Sequence, residues 1–358
     1  MLYREVGQFK VNYKSDQAIF TIAQDRWAMA AFLAVAFLVV PFFLNDYLTN
    51  AILLPFLIYA LAAIGLNILT GYCGQLSLGT GAFLAVGAYS TYKLTTAFPE
   101  LNIIVVFVLS GAVTAAVGML FGLPSLRIKG FYLAVATLAA QFFIIWLFYK
   151  VPWFFNYNAT GQISMPPREI FGFVITGART DPAVTYLFVL SFVVVFALAA
   201  KNLIRGRVGR SWMAIRDMDI AAELIGIRPL HTKLMAFGIS SFYVGMAGGL
   251  MFAVWLGAAE AGEAFGIDQS FLVLFMIIIG GLGSILGSFL GAAFMVIMPI
   301  VLKVTMVDGL GLAAVNAKHI EFIFMGTMII FFLIVEPHGF ARLWQIGKEK
   351  LRLWPFPH

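Results

Sequence analysis

The sequence predicts an all-α fold, a polytopic transmembrane helical bundle of about ten spans, some of them broken or re-entrant. Three observations carry that prediction. The chain of 358 residues is 62% hydrophobic and only 11% charged, with a mean hydropathy of +0.96, where a soluble domain carries about a quarter charged residues. Apolar runs long enough to cross about 30 Å of hydrocarbon recur along the whole chain. They are too long and smooth for the roughly ten-residue alternating strands of an outer-membrane barrel.

The expected spans follow from apolar runs and their punctuation. They cover 27–44, 51–69, 78–98, 103–123, 131–149, 184–203, 234–256, 270–282, 286–305 and 320–335. The third is interrupted by small and polar residues. The eighth is short and runs straight into the ninth through Gly280-Gly281-Leu282-Gly283-Ser284, so these two are candidates for a broken or re-entrant pair. This divides the chain into a polar segment 1–26, a membrane domain 27–340 and a basic tail 341–358. The segment 1–26 lacks the short basic head and apolar core of a cleaved signal peptide.

Charge sets the expected orientation. Segments 1–26, 124–130, 201–233 and 336–358 hold four, two, seven and four of the 23 Lys and Arg residues. The opposite connections hold Asp46, Glu100, Glu260, Glu263, Asp268 and Asp308. The positive-inside rule then puts both termini in the cytoplasm of a multi-pass protein. It also accounts for the sequence pI of about 9.4 without any nucleic-acid partner. Cys73 is the single cysteine and the four histidines are scattered, which excludes a disulfide framework and gives no metal-ligand spacing.

The one long polar interruption, 201–233, contains Lys201, Arg205, Arg207, Arg210, Arg216, Arg228 and Lys233. Within it, 211–227 reads as an amphipathic helix. Ala214, Ile215, Ile220, Ala221, Leu224 and Ile225 are apolar, with Arg216, Asp217, Asp219 and Glu223 opposite. Gly226 suits a C-cap and Pro229 stops continuation. Such a helix is marginal alone and is stabilised by docking into a partner's groove, or by lying on an anionic lipid surface.

Within the spans, Asn67, Gln75, Ser77, Thr80, Thr137 and Gln141 stand at or near membrane depth. Unpaired amides and hydroxyls are costly there, so they face protein or water. Gly71, Gly74, Gly79 and Gly81 permit a helix break around Gln75 and Ser77. A candidate translocation path therefore comprises Gln75, Ser77, Thr80, Thr137, Gln141 and the turn of Gly280, Gly281, Gly283 and Ser284. The alternative is interhelical hydrogen bonding with no solute contact. Gly118 with Gly122, and Gly287 with Gly291, repeat at four-residue spacing and suit close helix packing. Lys93 and Glu321 sit near span ends, where long side chains reach the surface.

Four segments carry a family resemblance. They are 209–227 (GRSWMAIRDMDIAAELIGI), 71–79 (GYCGQLSLG), 130–138 (GFYLAVATL), and Gly280 to Ser284 with Gly287 and Gly291. Taken in chain order, they resemble the branched-chain amino acid permeases of ATP-binding-cassette importers, most closely the M-type subunit. The resemblance implies a bacterial inner-membrane importer. Its parts are a second homologous permease subunit, two cytoplasmic ATPases and an extracytoplasmic solute-binding protein. It also implies that Arg210, Ala214, Arg216, Asp217, Asp219, Ala221, Ala222, Glu223 and Gly226 belong to the segment that couples to the ATPase. The chain has no G-x-x-x-x-G-K-[ST] phosphate loop, so ATP is expected to be used by partners, with no cofactor and no catalytic residue here.

Departures from the family pattern bear on the solute. Residues 158–167 (NATGQISMPP) replace a Gly/Thr-rich run, Thr80 stands where a histidine is common, and Ser288 replaces a frequent proline. Urea, short amides and aromatic carboxylates stay open beside branched-chain amino acids. An ion-gradient carrier would call for a buried ionisable pair, and a membrane enzyme for clustered His, Asp or Glu at membrane depth. The large outer segment 150–183, rich in aromatics and prolines, suits an ordered surface for a binding protein or a simple connector.

Overall fold

The computed structural model describes residues 9, 11–12, 19, 23–125, 132–170, 172–177, 180–311, 313–336 and 338–353. Most of segment 1–22, Arg127 and Lys129 of segment 124–130, Gly130 and Phe131, and the last five residues lie outside these. The described chain is a helical bundle. Among the described residues, nine helices are long and apolar enough to cross a membrane.

In chain order the first helix is α1 (Ala23–Ala34), which continues through distorted turns to Phe43. Next come α2 (Leu54–Asn67), α3 (Thr80–Ala97), α4 (Ile103–Ser125) and α5 (Tyr132–Lys150). Helix α6 (Pro182–Arg205) opens on Asp181, whose carboxylate accepts from the Ala183 N–H, with Pro182 at the first helical position. That pairing of N-cap and proline is a strong start signal. Then follow α7 (Arg207–Asp217), α8 (Asp219–Leu224), α9 (Pro229–Leu250), α10 (Ala261–Ala264) and α11 (Ile267–Gly280). The last three are α12 (Ile285–Lys303), α13 (Ala314–Val335) and α14 (Gly339–Leu353).

Two expected spans need correction. The third, 78–98, is an uninterrupted helix from Thr80 to Ala97, and the break lies before it, at 73–79. Most of α3 is buried, so protein rather than lipid surrounds it; that is why its Thr, Tyr and Gly residues are tolerated and why it falls outside the nine strongly apolar helices. The last span begins at Ala314, not 320.

Helices α2 and α9 form the centre. Most residues of the spans 48–72 and 229–256 are buried, whereas the first and last spans have few buried residues. Backbones approach closely around α9. A Cβ on Gly87 of α3 would lie 2.0 Å from the Gly245 carbonyl, and one on Gly118 of α4 would lie 2.2 Å from Ser241 Oγ. Gly122 meets the Phe237 ring. At Gly87 a larger residue would meet backbone and displace a helix, whereas at Gly118 and Gly122 the side chains of Ser241 and Phe237 would have to give way. The α11–α12 hairpin closes in the same way, with Gly287 against the Gly280 carbonyl and Gly291 against that of Met276.

The two ends of the bundle differ. At one end the C-terminal helix α14 meets the start of α1 through a Lys348–Asp25 ion pair of 3.6 Å. At the other, 150–170 and 172–177 fold over the helix ends as an ordered cap. Strand β1 (Ile163–Ser164) pairs antiparallel with β4 (Ala258–Ala259), and β2 (Arg168–Ile170) with β3 (Phe173–Thr176). Lys93 reaches into this cap, donating to Asn156 Oδ1 with its ammonium 4.1 Å from the Trp153 ring centroid. Arg168 returns the contact, donating to the Pro99 and Thr95 carbonyls.

Candidate functional site

The polar segment 201–233 folds as a compact unit set against the bundle. The expected helix over 211–227 is two helices, because Met218 adopts an extended conformation (φ −160°, ψ 98°) between α7 and α8. Trp212 is fully buried and its indole donates to the Thr232 carbonyl at 3.2 Å. Gly209 packs so closely on the Ile204 carbonyl that a Cβ would lie 1.8 Å from it. These contacts fix the base of the unit. Helix α8 ends in a full Schellman motif, with the Gly226 N–H on the Glu223 carbonyl at 3.0 Å and the Ile227 N–H on that of Ala222 at 3.0 Å. Gly226 takes φ +90° to close it, as the C′ position requires.

This geometry divides the apolar residues of the segment. Ile215 and Ala222 are buried against the protein. Met218, Ile220, Leu224 and Ile225 are exposed at 66, 63, 84 and 76%, an apolar tip on a rigid base. Arg210, Asp217, Ala221, Glu223 and Gly226 are also exposed, while Ala214 and Asp219 are half-buried.

Arg216 ties the unit to the spans. Its Nη1 donates to the Gly71 carbonyl at 3.0 Å, its Nε to Asp217 Oδ1 at 2.9 Å, and its Cγ packs on Gly74, which has φ +71°. Gly71 packs against Gly283 of the α11–α12 turn and against Asn67, which binds that turn. The Asn67 amide donates to the carbonyls of Gly281 (3.3 Å) and Ser284 (2.9 Å) and to Ser288 Oγ (2.9 Å). Its oxygen accepts the Gly283 N–H at 2.8 Å. One buried amide thus satisfies a turn in which Gly281 (φ +120°) and Gly283 (φ +74°) leave backbone groups unpaired. Each such group left bare costs about 1–3 kcal/mol. Ser284 also caps α12, accepting the Gly287 N–H at 3.1 Å.

A second polar knot lies where α3 begins. Gln141 Oε1 accepts the Ala82 N–H (2.6 Å) and the Ser270 hydroxyl (2.9 Å), and its Nε2 donates to the Phe265 carbonyl (3.0 Å). Ser270 Oγ accepts the Gly81 N–H at 2.7 Å, and Thr137 Oγ1 that of Leu78 at 2.9 Å. Thr80 and Ser77 are buried beside them. The free N–H groups of a helix that starts inside the bundle are thereby paired.

The structure therefore brings Arg216, Gly74, Gly283 and the Gly280–Ser284 turn together at the end of the bundle that carries 201–233. Gln75 lies with Gly74 and Arg216 on the wall of a cavity of about 290 Å³. Thr137 and Gln141 stand apart in the second knot. The residues that link these groups, Asn67, Ser270 and Ser288, were not singled out as site residues from sequence. For Asn67 the available signal is a lone amide one helical turn before Gly71.

A bundle with helices broken inside it and a rigid polar unit docked on the break has the architecture of a multi-pass membrane permease. The chain belongs to the family of branched-chain amino acid transport system permease components, whose pattern matches residues 48–333. It is 30% identical over 303 residues to LivM, the permease protein of the high-affinity branched-chain amino acid transport system of Salmonella typhimurium. That match covers 79% of this chain and 67% of the relative. The Escherichia coli protein of that name gives the same values. A probable LivM of Methanocaldococcus jannaschii is 24% identical over 332 residues, covering 82% of this chain and 92% of the relative. No solved structure matches.

Proposed function

We propose that this chain is a permease subunit of an importer in the bacterial cytoplasmic membrane, driven by two separate ATPase subunits that dock on residues 210–226. A second homologous permease completes the membrane portion, and an extracytoplasmic binding protein delivers a branched-chain amino acid or a similar small polar solute. Both termini face the cytoplasm, on the side of the 201–233 unit.

The observation that carries this reading is the exposed apolar tip of Met218, Ile220, Leu224 and Ile225 on a base fixed by Trp212 and Arg216. An apolar patch held rigidly outside the bundle is a partner surface. ATP coupling is supported further by the buried polar side chains of the described residues, which are all neutral amides and hydroxyls. Carriers driven by ions place ionisable groups in the membrane interior.

The solute passes Gln75, Ser77, Thr80, Thr137, Gln141 and the Gly280–Ser284 turn. Gln141 holds the start of α3 against α11, so opening a path there requires its bonds to exchange. The test is Glu223→Lys combined with Gly226→Asp, which reverses charge on α8 and strains its cap. The expected result is loss of uptake with normal membrane insertion; unchanged uptake at equal protein level refutes the docking role.

A further inference from the structure

We infer that the junction of α1, α6 and α14, at the end of the bundle that carries 201–233, binds the phosphate headgroup of an anionic phospholipid, with α14 lying in the plane of the bilayer surface beside it. The site requires only that the chain spans a membrane, and neither solute nor ATPase takes part in it.

Three elements bring charge to this junction. Lys348 of α14 pairs with Asp25 of α1 at 3.6 Å. Lys201, half-buried near the end of α6, lies within electrostatic reach of both and of Arg205. Among the described residues the junction thus gathers three cations around one carboxylate, with Arg26 exposed beside Asp25. Cations held together on separate helices repel one another, and one carboxylate offsets only part of that repulsion. A phosphodiester supplies the missing negative charge together with acceptor oxygens for charge-assisted hydrogen bonds. Basic sites at the ends of spans take lipid headgroups for this reason.

Helix α14 supplies the apolar half of the site. At the helical period, Phe340, Leu343, Trp344 and Gly347 fall on one half of it, and Arg342, Gln345, Lys348 and Glu349 on the other. Its first turn is seated on the spans. Ala341 is buried against Gly281, and the Phe340 ring lies 4.8 Å from that of Phe332 in α13 and 5.4 Å from that of Phe294 in α12. Leu343 and Trp344, on the apolar half, remain 46 and 53% exposed. The last turn of α13, Leu333 to Val335, is exposed as well, so hydrocarbon reaches the joint from which α14 leaves. Lipid rather than a soluble protein covers an apolar surface at that depth. Exposed Trp27, two positions past Asp25, adds an indole of the kind that sits at headgroup level. A helix with Lys and Arg on its polar face and Trp and Leu on the other lies along the bilayer surface.

The experiment uses the full chain in a neutral mild detergent, with native mass spectrometry measuring binding of dioleoyl phosphatidylglycerol and dioleoyl phosphatidylcholine. Phosphatidylglycerol is expected to bind at least about tenfold more tightly. Each cation at an anionic headgroup is worth about a fivefold change in affinity. Lys201→Gln combined with Lys348→Gln is therefore expected to weaken phosphatidylglycerol at least about tenfold and to leave phosphatidylcholine unchanged. Arg205→Gln, which keeps the Lys348–Asp25 pair, weakens it about fivefold. Lys150→Gln with Lys303→Gln removes the same charge at the opposite end of the bundle and alters neither lipid. Leu343→Ser with Trp344→Ser weakens both lipids at least about threefold, because it removes contact with acyl chains rather than with the headgroup. Equal affinity for the two lipids, an equal loss in the Lys150 and Lys303 variant, or unchanged phosphatidylglycerol binding in both headgroup variants overturns the site. Displacement of the lipid by millimolar inorganic phosphate or deacylated glycerophosphoglycerol reveals a free-anion site and overturns the lipid assignment. Unchanged binding in the Leu343 and Trp344 variant overturns the part given to α14.

Discussion

The Arg216 guanidinium donates to the carbonyl of Gly71, 145 residues away in sequence, at 3.0 Å. That bond joins the polar unit outside the bundle to the broken end of its central span. Gly71 lies one turn from Asn67, and Asn67 holds the α11–α12 turn by four hydrogen bonds. The polar unit thus contacts both breaks in the membrane domain through Arg216, Gly71 and Asn67.

Removing the first link tests this chain of contacts. Arg216→Ala is expected to lower radiolabelled leucine uptake at least about tenfold at matched membrane levels, and Arg216→Lys to give an intermediate loss, because one ammonium cannot bond Gly71 and Asp217 as the planar fork does. Uptake unchanged in both variants would show that the bond carries nothing.

Asn67→Leu keeps the volume but removes every partner of the turn. Several buried groups lose their bonds at about 1–3 kcal/mol each. The measurement is thermal aggregation in detergent followed by size-exclusion chromatography, and the expected result is a lower midpoint with little folded protein at 37 °C.

Glycine substitutions separate crossing points from open positions. Gly87→Ala places a methyl 2.0 Å from the Gly245 carbonyl, whereas Gly326 has open space around it. The first is expected to destabilise strongly. Gly326→Ala is expected to be neutral or to stabilise by up to about 1 kcal/mol through helix propensity. Both are read from the same thermal assay.

Burial pushes the thiol of Cys73 up to about 12, so it stays protonated at neutral and mildly alkaline pH. The thiolate is the nucleophile, so alkylation by iodoacetamide at pH 8 should run at least about 100-fold slower in the folded chain than in the denatured one. Mass spectrometry of the single cysteine reads the ratio directly, and equal rates would contradict the burial.

Much of this architecture was legible in the sequence because membrane burial leaves long apolar runs and because glycines mark close crossings. The GGLGS run predicted the break between α11 and α12, and Gly226 predicted the cap of α8. Two features were not legible. The split at Met218 arises from one extended residue within an unbroken helical pattern, with no Gly or Pro to announce it. The roles of Asn67 and Gln141 depend on partners more than 100 residues away, and a lone amide in an apolar span does not say which backbone it satisfies.

The most direct measurement is a pull-down of the tagged full chain in mild detergent, with mass spectrometry of what accompanies it. Wild type is compared with a variant in which 218–226 is replaced by a Gly/Ser linker. Recovery of a second permease with ATPase subunits, and loss of the ATPases alone in the variant, is the predicted result. A chain that purifies without ATPases, or that retains them equally with the linker in place, would contradict the account.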